Sequence, residues 1–405
     1  MMLTLAIQAV LGLAALPPPE GPWRAVLDLA GGPLRFALQI ERSNRGWQGQ
    51  LCNGTQCQPI GVRLKADSIV VDIADYAATI TAALRADSLT GAYRNVGNRG
   101  PRIIPFRASR GRWPGTRPPK ALLGRWDATY FNDWGTSPRV FEFEERSSGL
   151  QGTIISNTGD YGRFWGVAEA DSFAMGHFDG SFVYLLTGRL EGDTLRGIFH
   201  AGLQTQTPWK AVRSTGEPHL KSSTEITQAD TANPFRFAFR DLEGRLVRSE
   251  DPRFRGKVVL LDIFGSWCPT CHEAAPDLVR LYRRYHSRGL EIVGLAYEVS
   301  GDTAVDAPLV RRFRDKFGIT YPLLLAGIND TDAAAETLPQ LQGFTSFPTT
   351  VFLGRDGKVR RVQAGFYSHA TGSDYTRQLR EYEREIERLL SEKGERSAPL
   401  RRDPP

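Results

Sequence analysis

The sequence predicts a multidomain chain: two tandem all-β repeats, each a meander or small barrel, followed by an α/β domain. Three observations carry this. Before Ser214, turn signals such as NG at 53–54, SSG at 147–149 and EGD at 191–193 cut the chain into short alternating runs. Those same residues repeat themselves at a nearly constant spacing. After Asn233, apolar strand-like runs alternate with segments of helical periodicity. The length, 405 residues, also exceeds what one core of ordinary size organises.

The repeat is explicit. GPWRA at 21–25 returns as GRWDA at 124–128, GWQGQL at 46–51 as GLQGTI at 149–154, and PFRASR at 105–110 as PWKAVR at 208–213, all at an offset of 103 residues. LTGAYR at 89–94 returns as LRGIFH at 195–200 at an offset of 106, which implies a small insertion and a later compensating deletion. Several motifs at one offset indicate tandem duplication. The repeats are placed at 20–110 and 122–214, each with about eight strands by turn counting. Each opens on Gly-x-Trp and closes on an aromatic-basic-Ala strand. This is similar to lipocalin-type barrels, where a Trp of the first strand packs under a basic residue of the last. Trp23 and Trp126 are therefore expected to plug the barrel bottoms rather than bind a ligand. His177 and His200 are the histidines of this region, and neither has a partner acid at catalytic spacing in the sequence.

Residues 215–233 are polar and rich in Thr and Ser, and are predicted to be a linker. From 234 to 392 the pattern changes. KVVLLDIFG (257–265) is continuously apolar, as in a central strand buried on both faces. HEAAPDLVRLYRRYHSRG places Ala275, Leu278, Leu281, Tyr282 and Tyr285 at helical spacing, with Gly289 as its stop. A strand (LEIVGLAY), a helix (APLVRRFRDKFG), a strand (TYPLLLA), a hairpin around Asp356-Gly357 and a final amphipathic helix follow. Residues 393–405 are expected to be a disordered tail.

Composition narrows the function. The chain is 41% hydrophobic and 24% charged, ordinary for a soluble globular protein. Its net charge of +6 is scattered, apart from a Pro-mixed run at 110–120 and the C-terminal tail, and no basic stripe is interleaved with aromatics. A nucleic-acid partner is not expected. Residues 1–16 are almost wholly apolar; as a helix they would span about 22 Å, short of a hydrocarbon core of about 30 Å. They are predicted to be a cleaved secretory signal, which implies a periplasmic or cell-envelope location, although no Lys or Arg precedes the apolar run. An uncleaved apolar helix is the rival.

FGSWCPTCHE, at 264–273, carries the chemistry. C-x-x-C-H attaches a c-type haem, C-x-x-C is half of some zinc sites, and W-C-x-x-C is a redox dithiol. The motif stands where a buried strand hands over to a helix. A helix N-terminus presents free N–H groups and a positive dipole end, which stabilise a thiolate. A haem site needs no such strand and would need a distal ligand, for which Met175 and the histidines stand in no tell-tale position. A zinc site needs four ligands, and the other cysteines, Cys52 and Cys57, lie in a different domain. The context selects the redox dithiol, with Cys268 exposed as the attacking thiol and Cys271 shielded as the resolving one. His272 is then a solvated first-turn residue or a modest tuner. No metal, cofactor or haem is expected. Cys52 and Cys57 flank NGTQ and are predicted to form a structural disulfide across a hairpin; the second repeat has Ile155 and Asp160 there.

Residues 234–392 resemble the TlpA/ResA-like thioredoxin-fold disulfide oxidoreductases. The resemblance rests on the leading hairpin, GKVVLLDIFGSWCPTC, Pro276 five residues after the second cysteine, the inserted APLVRRFRDKFGITYPLLLA, and GFTSFPTTVFLGRDGKV. It implies a thioredoxin-like domain in which Pro348 is the cis-proline facing the dithiol, with Trp267, Pro269, Thr270 and Phe347 meeting the substrate. Asp262, six residues before Cys268, matches the buried acid of thioredoxins, which takes or relays the proton of the resolving thiol. Many relatives carry Glu three residues after the second cysteine; here that position is Ala274, with Glu273 one earlier. A peroxiredoxin would need Thr three before its cysteine, and residue 265 is Gly. The implied activity is exported thiol–disulfide exchange, as a reductase of protein disulfides fed by a membrane electron donor. The alternative is a partner- or ligand-binding protein in which the β repeats carry the function and the thioredoxin fold is accessory.

Overall fold

The computed structural model describes residues 18–44, 46–97, 100–146, 149–216 and 219–392. The signal expected at 1–16 and the tail expected at 393–405 lie outside these. Among the described residues no helix is long and apolar enough to cross a membrane.

Each repeat closes into an eight-stranded antiparallel barrel, the first over Gly21–Arg110 and the second over Gly124–Arg213. Alternation along each strand fills the interior: Leu34, Phe36, Leu38 and Ile40 point inward while Arg35, Ala37 and Gln39 do not. The duplication persists in detail. Trp23 Nε1 donates to the Pro19 carbonyl at 2.8 Å, and Trp126 Nε1 donates to the Leu122 carbonyl at 2.9 Å. Arg110 lies over the Trp23 ring at 4.5 Å and Arg213 over the Trp126 ring at 3.9 Å. Both tryptophans are buried under a basic residue of the closing strand. The Cys52 and Cys57 sulfurs are bonded, and the two residues face each other in register, as Ile155 and Asp160 do in the second barrel.

The C-terminal domain is built on a seven-stranded sheet. At its centre Val258–Phe264 runs parallel to Leu290–Glu298 and antiparallel to Thr349–Leu353. All seven residues of that strand are buried. Its two faces pack separately. Val258, Leu260 and Phe264 meet helices α1 (Pro269–Tyr285), α2 (Thr303–Phe317) and α4 (Ser373–Ser391), whereas Val259, Leu261 and Ile263 meet α3 (Thr331–Thr337) and the leading segment. This is the layered α/β arrangement expected of the thioredoxin fold.

The polar stretch predicted as a linker is held to this domain rather than standing free. Gln228–Ala229 pairs with Leu341–Gln342, and Thr227, which is buried, donates its hydroxyl to the Gly343 carbonyl. Nor do the barrels stand apart. The second-barrel turn at Thr158–Gly159 meets Gly365–Phe366 so closely that a Cβ at Gly159 or Gly365 would overlap the opposing backbone. Asp160 accepts from the Ser368 hydroxyl at 2.8 Å. The matching hairpin of the first barrel reaches α1, where Gln56 Nε2 donates to Glu273 at 3.3 Å. The two related hairpins thus both contact the C-terminal domain, one at α1 and the other at residues 365–368.

Candidate active site

The central strand ends at Phe264, and the chain turns through Gly265, Ser266 and Trp267 to Cys268, which caps α1. Pro269 takes the first helical position, where a missing N–H costs nothing. The Cys271 N–H donates to Cys268 Sγ at 3.2 Å. The helix start therefore aims a backbone donor at the first sulfur, as a thiolate would require. Opposite, the Phe347–Pro348 peptide is cis, and the Phe347 carbonyl accepts from Cys268 Sγ at 3.6 Å. Phe347 also packs edge-on against Trp267, with centroids 5.8 Å apart. Cys268, Cys271, Trp267, Pro269, Thr270, Phe347 and Pro348 are thus one group.

Asp262 lies on the face of the central strand that meets α1. It is buried, and its Oδ1 has no hydrogen-bond partner among the described residues. Burial pushes its carboxyl up to about 7. Burial, the Cys268 hydrogen bond and the neighbouring Cys268 and Asp262 charges push the Cys271 thiol well above its ordinary range. An acid poised near neutrality thus lies close to a thiol that holds its proton.

Three expectations are corrected. Cys268 is not exposed: it is 1% accessible, and Cys271 is 2% accessible. The cis-proline loop lies on Cys268, and the barrels close on the turn before it. His272 is not solvated but 8% accessible, with the rings of Tyr76, Phe313 and Phe317 around it. Its Nε2 donates to the Ser266 carbonyl at 2.8 Å, which leaves Nδ1 to accept from the Lys316 ammonium at 3.1 Å. Burial and the Lys316 charge hold it neutral, pushed down to about 4. His177 does have a partner acid: its Nε2 meets Asp179 at 3.0 Å and its Nδ1 donates to the Arg163 carbonyl at 2.9 Å. Burial alone would lower His177, but the Asp179 hydrogen bond and charge outweigh it and raise it.

Sequence reasoning missed several residues that hold the turn before the dithiol. Ser266 donates its N–H and its hydroxyl to the Glu298 carboxylate at 2.7 and 2.6 Å. Burial pushes Glu298 up to about 7. The one signal for it was an acid at the end of the apolar run Ile292–Tyr297. Trp267 Nε1 donates to the Tyr297 carbonyl at 2.8 Å, while the Trp267 carbonyl accepts from the Ser181 hydroxyl of the second barrel at 3.0 Å. From the first barrel, Asp75 binds the Lys316 ammonium at 2.6 Å. Between the barrels and α1 lies a cavity of about 180 Å³, whose walls include Gln56, Tyr76, His177, Thr270, Glu273 and Lys316. Cys57 borders it as well. Among the described residues no group of three or more His, Cys, Asp or Glu is placed to hold a metal ion.

A dithiol at a helix start, a cis-proline loop against it and a buried acid beneath it make a redox-capable site. Residues 227–379 match the sequence model of the Redoxin family. Thiol-disulfide oxidoreductase ResA of Geobacillus thermodenitrificans (strain NG80-2) is 34% identical over 129 residues, which are 32% of this chain and 66% of that protein. ResA of Halalkalibacterium halodurans is 29% identical over 130 residues, 32% of this chain and 65% of that protein. The chain thus spans just under two thirds of the length of these relatives. Among solved structures, a thioredoxin-family thiol:disulfide interchange protein from Chlorobium tepidum TLS aligns with 39% of this chain and 98% of its own, at 24% identity and a TM-score of 0.31.

Proposed function

We propose that this protein is an exported thiol–disulfide oxidoreductase that acts as a reductase through Cys268 and Cys271. The observation that carries the reading is the geometry of the pair: Cys268 caps α1 with the Cys271 N–H on its sulfur, and the unpartnered Asp262 lies close to Cys271. The Redoxin match and the names of the curated relatives support it.

In this reading the Cys268 thiolate attacks a substrate disulfide and a mixed disulfide forms, with one substrate sulfur leaving as thiolate. Asp262 takes the proton of Cys271, directly or through water. The Cys271 thiolate then attacks Cys268 and releases the second substrate sulfur. Phe347, held by the cis-peptide, offers its backbone to an extended substrate segment. Trp267, Pro269 and Thr270 line the approach. Protein disulfides are the substrate class the resemblance implies, and a membrane dithiol would return electrons to the pair. Export rests on the apolar residues 1–16 alone.

The test is insulin turbidity with dithiothreitol. The wild type should accelerate precipitation and Cys268→Ser should not. Equal rates for the two would remove the dithiol from the function and turn attention to the barrels as a binding unit.

A further inference from the structure

The outer face of the second barrel is layered. Its strands Val183–Glu191, Thr194–Ala201, Thr205–Arg213 and Gly124–Asn132 lie side by side in that order, and alternate residues of each face outward. Near one end, Ile198 pairs with Pro208, and Phe131 lies beside Pro208 because the preceding Tyr130 pairs with Trp209. All three are exposed. The turns that close this end add Trp134, 92% accessible, and Leu203, 42% accessible. Two residues further from this rim, about 7 Å along each strand, Arg189, Arg196 and Lys210 stand in one row. One step more brings Glu191 and Asp127 into a third row. The order from the rim is apolar, basic, acidic. Arg189 and Arg196 pair with Asp171 at 2.9 Å and Glu191 at 3.5 Å, on the side away from the rim. Lys210 has no ion-pair partner among the described residues. The rim itself carries one acid, Asp133, in the turn of Trp134.

The first barrel shows that the fold does not require this surface. At the repeat offsets, Phe131, Trp134 and Ile198 correspond to Asp28, Gly31 and Ala92. Lys210 corresponds to Arg107, which Asp28 binds at 3.0 Å. The second copy thus has an exposed aromatic where the first has an acid, and its cation is left without that partner. The first barrel also seats this turn: Gly31 lies so close to the His200 ring of the second barrel that a Cβ there would overlap it. Trp134 at the matching turn is too large to enter the same seat on another copy. A contiguous exposed apolar patch marks a contact with protein or membrane. Bound peptides take grooves or sheet edges, whereas a hairpin tip is convex. Aromatic side chains at a tip with cations behind them suit a lipid interface, where the rings sit at headgroup level and the cations meet anionic lipids.

We propose that this rim of the second barrel docks on a bilayer surface bearing anionic headgroups, with Trp134, Phe131 and Leu203 in the interface and Lys210, Arg196 and Arg189 at the level of the phosphates. An apolar layer seated about 5–10 Å into the boundary of headgroups and acyl chains places a row about 7 Å behind it among the headgroups. The acidic row then stays in water. The inference stands apart from the dithiol reading, although a chain held at a bilayer is also held near a membrane electron donor.

The test is sedimentation of the full-length protein with vesicles of phosphatidylcholine alone and of phosphatidylcholine mixed equally with phosphatidylglycerol. The protein should bind the anionic vesicles more tightly, and less so as salt rises. Phe131→Asp combined with Trp134→Gly, the residues the first barrel carries at these positions, should weaken that binding by about tenfold or more, the scale of burying one large apolar side chain. Lys210→Gln should weaken it by about fivefold, the value of one cation at such a surface. Far-UV circular dichroism and insulin turbidity should stay at wild-type values, since neither variant touches the dithiol. Absence of vesicle binding by the wild type overturns the proposal. So does undiminished binding by the folded double variant, which would move the contact to another segment such as residues 1–16. Equal binding to neutral and anionic vesicles overturns the headgroup layer. Self-association that the double variant abolishes, with no binding to vesicles, gives the face to a second copy and overturns the proposal too.

Discussion

The Ser181 hydroxyl, in the connection between strands Ser172–Phe178 and Val183–Glu191 of the second barrel, donates at 3.0 Å to the carbonyl of Trp267, the residue before Cys268. A domain that supplies none of the proposed chemistry therefore touches the backbone of the dithiol turn. The first barrel does the same at one remove, because Asp75 holds Lys316, Lys316 holds His272, and His272 holds the Ser266 carbonyl.

Loosening this cover should expose the first sulfur. Ser181→Ala removes one hydrogen bond, worth about 1 kcal/mol. Asp75→Ala removes a partly exposed ion pair of similar or smaller value. The double variant should alkylate at Cys268 several-fold faster than wild type with iodoacetamide at neutral pH. Peptide mass mapping checks the site. Unchanged labelling in the double variant would mean that the cover is the cis-proline loop alone.

Cys271→Ser should hold a mixed disulfide through Cys268, because the resolving thiolate is gone and Asp262 has no thiol to deprotonate. Non-reducing gels followed by mapping of the linked peptide check this. Linkage through Cys52 or Cys57 instead would shift the chemistry to the first barrel.

Asp262→Asn should stabilise the protein in a pH-dependent way while slowing exchange. The folded state holds the Asp262 proton up to about pH 7, whereas an unfolded Asp releases it near 4. The folded state binds more protons over that window, so this group's contribution to stability falls as pH rises through it. Asn has no such loss. Its melting-temperature advantage should therefore be small at pH 4, grow toward pH 7 and then level off, with about 4 kcal/mol as the upper bound. A constant difference across the window would mean that burial does not perturb Asp262. Turnover should fall by about a hundredfold or more, the usual scale of lost general-base help.

Removing the hairpin disulfide with Cys52→Ala and Cys57→Ala should cost the first barrel about 2 kcal/mol by the loop-entropy estimate for so short a closure. Urea denaturation checks the size. The fold should survive, since the second barrel closes with Ile155 and Asp160 at the same positions.

Whereas the closure of each repeat into its own barrel came from the tertiary structure, the sequence by itself determined the two β repeats, the central strand, the dithiol at the helix start and the acid six residues before it. Those features are written locally. Alternation places residues on a strand face, Gly-x-Trp marks each barrel opening, and a cap followed by Pro starts α1. Only the tertiary structure decided that Cys268 and His272 are buried, that His177 bonds Asp179 two residues on, and that Glu298, Ser181 and Asp75 brace the turn before the dithiol. Ser181 and Trp267 are 86 residues apart, Gln56 and Glu273 are 217 apart, and Asp75 and Lys316 are 241 apart. Each is a single polar contact between separately folded surfaces. Such a contact imposes no period and no spacing on either segment, so nothing in the order of residues announces it, and it exists only once both surfaces have formed and met.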